Sequence, residues 1–232
     1  MKVHIDDIIN YSFCAYCYSQ GKTRPKTSST SSLNLKFEKL LLYTFRREFE
    51  LQAKTSWKQI SDKWVKIFWS DLEDKQENTR LFQKSLIGIK KFFDWYSDLL
   101  ATPLALRFSL NGNLDNHQIL SEVPFVLHRK DETVACIFTS PVFSKEAALR
   151  SYEIICTSLL MNNEVSVTQI SNISFNSKNS LSTVTLFPDE NLWNKARTNM
   201  SSILTSMQSK LYYTNGVNCT SCYIGKEQNE IL

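Results

Sequence analysis

Two Cys-x-x-Cys pairs stand near opposite ends of this 232-residue chain. They are Cys14-Ala15-Tyr16-Cys17 and Cys219-Thr220-Ser221-Cys222, with 201 residues between them. Thiolates two residues apart grip one metal centre from a single turn of chain, and two such pairs supply four sulfurs. Four sulfurs suit tetrahedral zinc or an iron–sulfur cluster. Such a centre ties the two ends together, and closing so long a loop stabilises the folded state against an unfolded chain that pays for closure. Four incidental thiols, or two disulfides, are the alternative reading.

Composition narrows the class. The chain is 42% hydrophobic and 12% aromatic, enough for one large domain over 1–232. No apolar run is long enough to span a bilayer, and Met1-Lys2-Val3-His4-Ile5-Asp6-Asp7 lacks the pattern of a secretory signal. An intracellular, reducing location is therefore expected, and it favours metal over disulfides. Cys136 and Cys156 lie in apolar stretches and read as buried structural thiols. With only 5 glycines, and neither GxGxxG nor GxxxxGK[ST], no phosphate-cradling loop is available. A net charge of +4 permits nucleic-acid binding without requiring it. His4, His117 and His128 stand at no motif spacing from a carboxylate or nucleophile.

Periodicity divides the chain. Residues 6–18 read as a helix running into the first cysteine pair, and 19–34 as an exposed Ser/Thr/Lys-rich loop. Its cations Lys22, Arg24 and Lys26, with the nearby Lys36, are candidates for phosphate contact, against the plainer reading of a solvated loop. A helical insertion over about 35–101 follows: helices 35–54, 56–72 and 79–100, each with an aromatic stripe at helical spacing. Phe37, Leu41, Phe45 and Phe49 form the first stripe, read as core rather than a base-stacking platform. Lys58, Lys63, Lys66, Lys84, Lys90 and Lys91 fall on the other helix faces, read as solvated or as the wall of a nucleic-acid groove. A core sheet is expected over about 104–210. Strands 104–110 and 118–128 are joined through a turn at Asn111-Gly112-Asn113, and a charged hairpin at 129–132 leads to a central strand 133–139. Helix 144–161, strands 165–175 and 181–187, and a last helix from Pro188 and Asp189 to about 211 complete the order. The fold class is α/β, a mixed sheet of about five strands flanked by helices.

This order, with cysteines at both ends, resembles the RecB-like branch of the PD-(D/E)XK nucleases, in particular the CRISPR-associated RecB-like exonucleases and AddB-type nuclease domains. The resemblance covers nearly the whole chain. Its terminal motifs are Tyr11-Ser12-Phe13-Cys14 and Cys219-Thr220-Ser221-Cys222-Tyr223. In that family the cysteines hold a [4Fe–4S] cluster, which implies the same for Cys14, Cys17, Cys219 and Cys222, with Zn²⁺ as the alternative. The family divides its ligands one and three, whereas this chain divides them two and two.

The resemblance also implies an active site that this chain lacks. The family places an Asp at the second core strand and (Asp/Glu)-x-Lys at the third, holding a divalent metal that activates water. Pro124 stands at the first position and Phe138-Thr139-Ser140 at the second. Tyr152 matches the tyrosine of the following helix, its glutamine is replaced, and the helix over 35–54 has no histidine. Glu122, two residues before Pro124 and so on its face of a regular strand, Asp131, Glu132 and Lys145 are the groups from which a relocated centre would have to be built. The expectation is a degenerate nuclease fold that no longer cuts. It would act as a nucleic-acid-binding or structural subunit of a CRISPR-related, recombination or viral assembly, with protein partners and possible binding of DNA. An active exonuclease with a relocated site and a metal-stapled scaffold that binds only protein are the alternatives.

Overall fold

The computed structural model describes residues 2–21, 31–70, 75–129, 134–139, 154–161, 165–175 and 180–212. The chain begins with β1 (Lys2–His4), α1 (Ile5–Phe13) and α2 (Ala15–Ser19). Three long helices follow: α3 (Ser31–Leu51), α4 (Trp57–Trp69) and α5 (Lys75–Asp98). Then come β2 (Thr102–Leu114), β3 (His117–His128), β4 (Val134–Thr139), helix α6 over 154–161, β5 (Val167–Phe175), β6 (Leu181–Leu186) and α7 (Glu190–Gln208). The mixed α/β class is as expected. The expected hairpin at 129–132 and most of the expected helix 144–161 lie outside the described residues.

The sheet is organised around β3. β2 pairs antiparallel with it from Leu114↔His117 to Thr102↔His128, occupying one edge along its whole length. The other edge is shared. β1 runs parallel to residues 118–120, and β4 runs antiparallel to residues 125–128. β5 then pairs parallel with β4, and β6 antiparallel with β5. β4 is therefore central, as its unbroken apolar run predicts. β1 was not foreseen, because three residues are too short to show a period.

Alternation sends the strand side chains into two cores, one on each face. Cys136 and Phe138 of β4 join a core with Ile8 and Ile9 of α1, Leu159 and Leu160 of α6, and Trp193 and Met200 of α7. Ala135 and Ile137 of the same strand join the other core, with Phe37 and Phe45 of α3, Trp64 of α4 and Tyr96 of α5. The result is three layers, with the sheet between two sets of helices. The aromatic stripes are core, as expected. Phe37 and Trp64 meet Phe175 at ring separations of 5.6 and 6.4 Å, and Phe45 meets Phe125 at 5.3 Å. Phe49, the last member of the α3 stripe, is instead 47% exposed and lies outside this core.

Local signals explain several boundaries. Ser56 caps α4 in a reciprocal box with Gln59. Asp189 caps α7 by accepting from the Leu192 amide at 2.8 Å. The far end of α4 is closed from outside, where buried Lys36 donates to the Phe68 carbonyl at 2.8 Å. Glu48, at the end of α3, accepts from the Thr55 amide at 2.8 Å and the Tyr96 hydroxyl at 2.7 Å, with Lys54 Nζ 3.5 Å away. This buried cluster joins α3, the start of α4 and the end of α5. Burial lowers the Lys54 pKa, and Glu48 opposes that shift.

The turn expected at Asn111-Gly112-Asn113 is instead part of β2. The hairpin turns two residues at Asp115-Asn116, both at positive φ (47° and 62°), the geometry a tight antiparallel connection favours. Gly112 serves a different need: a Cβ there would lie 2.8 Å from Leu160 Cδ2, so the glycine lets α6 approach the sheet. Gly88 does the same where α5 meets β6. A Cβ there would stand 2.9 Å from Leu181 Cβ and 3.2 Å from its backbone nitrogen. Overpacking against backbone costs about 1–3 kcal/mol and outweighs the roughly 1 kcal/mol that alanine gains over glycine in a helix. Gly88→Ala is therefore expected to lower stability by about 1–2 kcal/mol on balance. Chemical denaturation checks this, and a raised midpoint would show that the close approach is not real.

Candidate functional site

Besides a register shift between Pro103 and Ala105, the alternation of β2 and β3 breaks in mid-strand. On β3, Ile119 and Val123 face the core that contains α1, α6 and α7, yet Phe125 and Leu127 face the other core. Two-residue alternation would keep all four on one side. The same reversal occurs on β2 between Phe108 and Leu106. Their register, Phe108↔Val123 and Leu106↔Phe125, sets Arg107 opposite Pro124. Pro124 has no N–H to give to the ladder, and Arg107 has φ 54°. A left-handed residue opposite a missing donor turns both strands over together.

The sheet also divides here. Between the last β1 pairing at Leu120 and the first β4 pairing at Phe125, the edge of β3 at residues 121–124 has no strand partner among the described residues. β4 passes Ile137 and continues to Phe138 and Thr139 without pairing to β3. Pro124 and Phe138 thus both stand at this fork. Pro124 is half-buried and Phe138 is buried. Ser121, on the open edge, bonds to Thr157 of α6 at 3.0 Å. Neither proline nor phenylalanine offers an oxygen to a hard cation.

Glu122 is exposed and lies across from Ser109. Its expected sharing of a face with Pro124 presumed a regular strand, and β3 is not regular at this point. Asp131, Glu132, Lys145, Ser140 and Tyr152 lie outside the described residues. So do Lys22, Arg24 and Lys26. Lys36, grouped with them in the sequence, is committed to the Phe68 carbonyl and is 6% exposed, so it is not a surface phosphate contact. Lys58, Lys66, Lys84 and Lys91 are exposed. Lys63 lies over the Tyr43 ring at 4.7 Å, and Lys90 pairs with Asp94.

At the N-terminal cysteine pair, the expected single helix is two. α1 ends at Cys14, whose backbone is extended (φ −160°, ψ 104°) and whose amide donates to the Asn10 carbonyl at 3.1 Å. The break sets Cys14 at the joint and Cys17 within α2. Cys14 is buried at 1% exposure. The Cys17 side chain, Cys219 and Cys222 lie outside the described residues, so the described residues do not test the four-sulfur centre; no group of three or more metal-binding side chains occurs among them.

The described chain does bring its ends together. The Tyr11 hydroxyl donates to the Leu211 carbonyl, and the Tyr11 ring lies 6.5 Å from Tyr212 and 5.8 Å from Tyr18. Burial, and then the charges of Asp7 and Tyr212, raise the Tyr18 pKa. Tyr212 is seven residues before Cys219, a span of at most about 25 Å when extended. The second cysteine pair is therefore within chain reach of the first.

The other two described cysteines match their expected role. Cys136 and Cys156 are fully buried, and Cys136 donates its thiol to Met161 Sδ at 3.1 Å. Burial pushes the Cys136 thiol up to about 12. The native state therefore holds this proton where the unfolded chain, with a pKa of about 8.5, releases it. Its contribution to stability is present below pH of about 8.5 and is lost as pH rises toward the native value. Thiol labelling at pH 8 is expected to leave Cys136 unmodified in the native protein and to modify it in denaturant, as read by peptide mass. Native labelling would contradict its burial.

No family model matches the chain, and no curated protein matches it. Among solved structures, a protein from Eubacterium rectale named provisionally as an exonuclease is similar over 97% of this chain and 86% of its own, with 8% identity and a TM-score of 0.54. The crystal structure of SSO0001 aligns over 88% of this chain and 75% of its own, at 6% identity and a TM-score of 0.37, too loose a likeness to carry weight. The first likeness shows a shared fold and nothing finer. Among the described residues, no helix is long and apolar enough to cross a membrane.

Proposed function

We propose that this chain is a RecB-like nuclease-fold protein that no longer cleaves nucleic acid and works as a nucleic-acid-binding or structural subunit of a larger assembly. The observation that carries this reading is the fork at Pro124 and Phe138. A nuclease of this fold needs carboxylates on the two diverging strands to hold a divalent metal, and this chain sets a proline and an aromatic ring there. The fold likeness to the Eubacterium rectale protein supports the nuclease ancestry. Incubation with Mn²⁺ or Mg²⁺ and single- or double-stranded DNA or RNA is expected to give no products. Cleavage that Glu122→Ala or Lys145→Ala abolishes would overturn the reading in favour of a relocated centre.

Four thiolates from Cys14, Cys17, Cys219 and Cys222 would hold a [4Fe–4S] cluster, or Zn²⁺, as a structural staple. The contact of Tyr11 with Leu211 supports it, because it brings the chain ends near each other independently of any metal. Bound metal would supply cross-linking bonds and no reaction step. Metal analysis and an absorption spectrum of anaerobically purified protein identify the centre. Alanine at any of the four positions is expected to lose metal and lower the melting temperature, whereas Cys136→Ala and Cys156→Ala keep metal. Full metal content in all four variants would refute the staple.

A further inference from the structure

A cleft of about 610 Å³ lies between the second half of α3 and the middle of β2. Tyr43, Arg46, Arg47, Glu50, Leu106 and Arg107 line it. Arg46, Glu50 and Arg107 are exposed, so the cleft opens to solvent. Three guanidinium groups face one carboxylate. That carboxylate, Glu50, stands 3.9 Å from Arg46, one helical turn away on the surface, where such a pair contributes little. Among the described residues, Arg47 and Arg107 have no ion-pair partner. Lys63 adds a fourth cation above the Tyr43 ring. Arg107 is also the residue whose left-handed backbone faces Pro124, so the positive cleft lies one strand from the fork.

We infer that this cleft binds the phosphodiester backbone of a single nucleic-acid strand, with Arg47 and Arg107 holding phosphate oxygens. This rests on the nucleic-acid-binding reading above and gives it a site. Guanidinium forks match phosphate oxygens in pairs, which a point charge does not. The cleft is too large for a lone phosphate, and its remaining wall is aromatic and aliphatic. Tyr43 and Leu106 offer the stacking and sugar contacts that unpaired nucleotides use. The strand would run past the fork where the cutting chemistry of a related enzyme would sit. Binding there would hold a strand without breaking it.

Fluorescence anisotropy with a labelled single strand of about ten nucleotides tests this. Arg47→Gln and Arg107→Gln are each expected to weaken binding about three- to tenfold. The double variant is expected to lower the salt slope by about 1.4, the share of two phosphate contacts on a single strand. Arg107→Lys keeps the charge and the backbone strain but not the fork, so its affinity is expected to fall between those of the wild type and Arg107→Gln, which separates lost contact from misfolding. Arg197→Gln, on α7 in the opposite helical layer, is expected to change affinity less than twofold. Wild-type affinity in the folded double variant would overturn the cleft and leave the nucleic-acid reading standing. An unmodified protein that binds no strand at low salt would overturn both. Inorganic phosphate that competes as strongly per phosphate as the strand would reassign the cleft to a free anion and overturn the inference.

Discussion

Every layer of this protein is hung on one strand. β3 carries β2 along its whole length, while its opposite edge is divided between β1 at the start and β4 at the end. Backbone pairing is obligatory for buried groups, so a strand with three partners fixes where all of them lie. Its side chains also divide between the two cores. Removing regularity from β3 would displace both helical layers. Its reversal of faces, at Pro124, falls where the sheet forks.

That coincidence has a physical basis. A proline cannot donate to a neighbour, so the two edges of β3 need not both be paired at this position. Arg107 accepts a left-handed backbone opposite it, at a cost of order 1–3 kcal/mol that the flanking pairs must cover. The strands reverse faces together, and Phe125 reaches the α3 core while Val123 stays in the other. The same site that ends the regular sheet lies beside the arginine-lined cleft. The fork and the charged cleft are thus set by one local feature, the placement of Arg107 opposite Pro124.

The aromatic helices stabilise the fold away from the fork. Phe37, Phe45, Trp64 and Tyr96 are buried together beneath β3 and β5. Their ring contacts supply stability that does not depend on the chemistry of the sheet edge. Buried polar anchors complete this layer. Glu48 satisfies the Thr55 amide and the Tyr96 hydroxyl at once, and Lys36 closes the last turn of α4. Neither looked structural from spacing alone, since a lysine and a glutamate on amphipathic helices ordinarily face water.

The sequence by itself determined the class, the three long helices, the strands that follow them and much of the core. Helical stripes over α3, α4 and α5 and the apolar run of β4 follow from periodicity, because burial on one face selects side chains at a fixed spacing. Caps such as Ser56 and Asp189 are equally local. Tertiary structure alone decided what depends on neighbours distant in sequence. Gly112 resembles a turn until α6 packs on it. β1 is only three residues long, and it exists because β3 offers it an edge. The break at Cys14, the meeting of Tyr11 with Leu211, and the gathering of Arg47 and Arg107 into one cleft are juxtapositions that no spacing encodes. They arise as the helices settle on the two faces of the sheet, because proximity between remote residues is set by packing and pairing rather than by local preference.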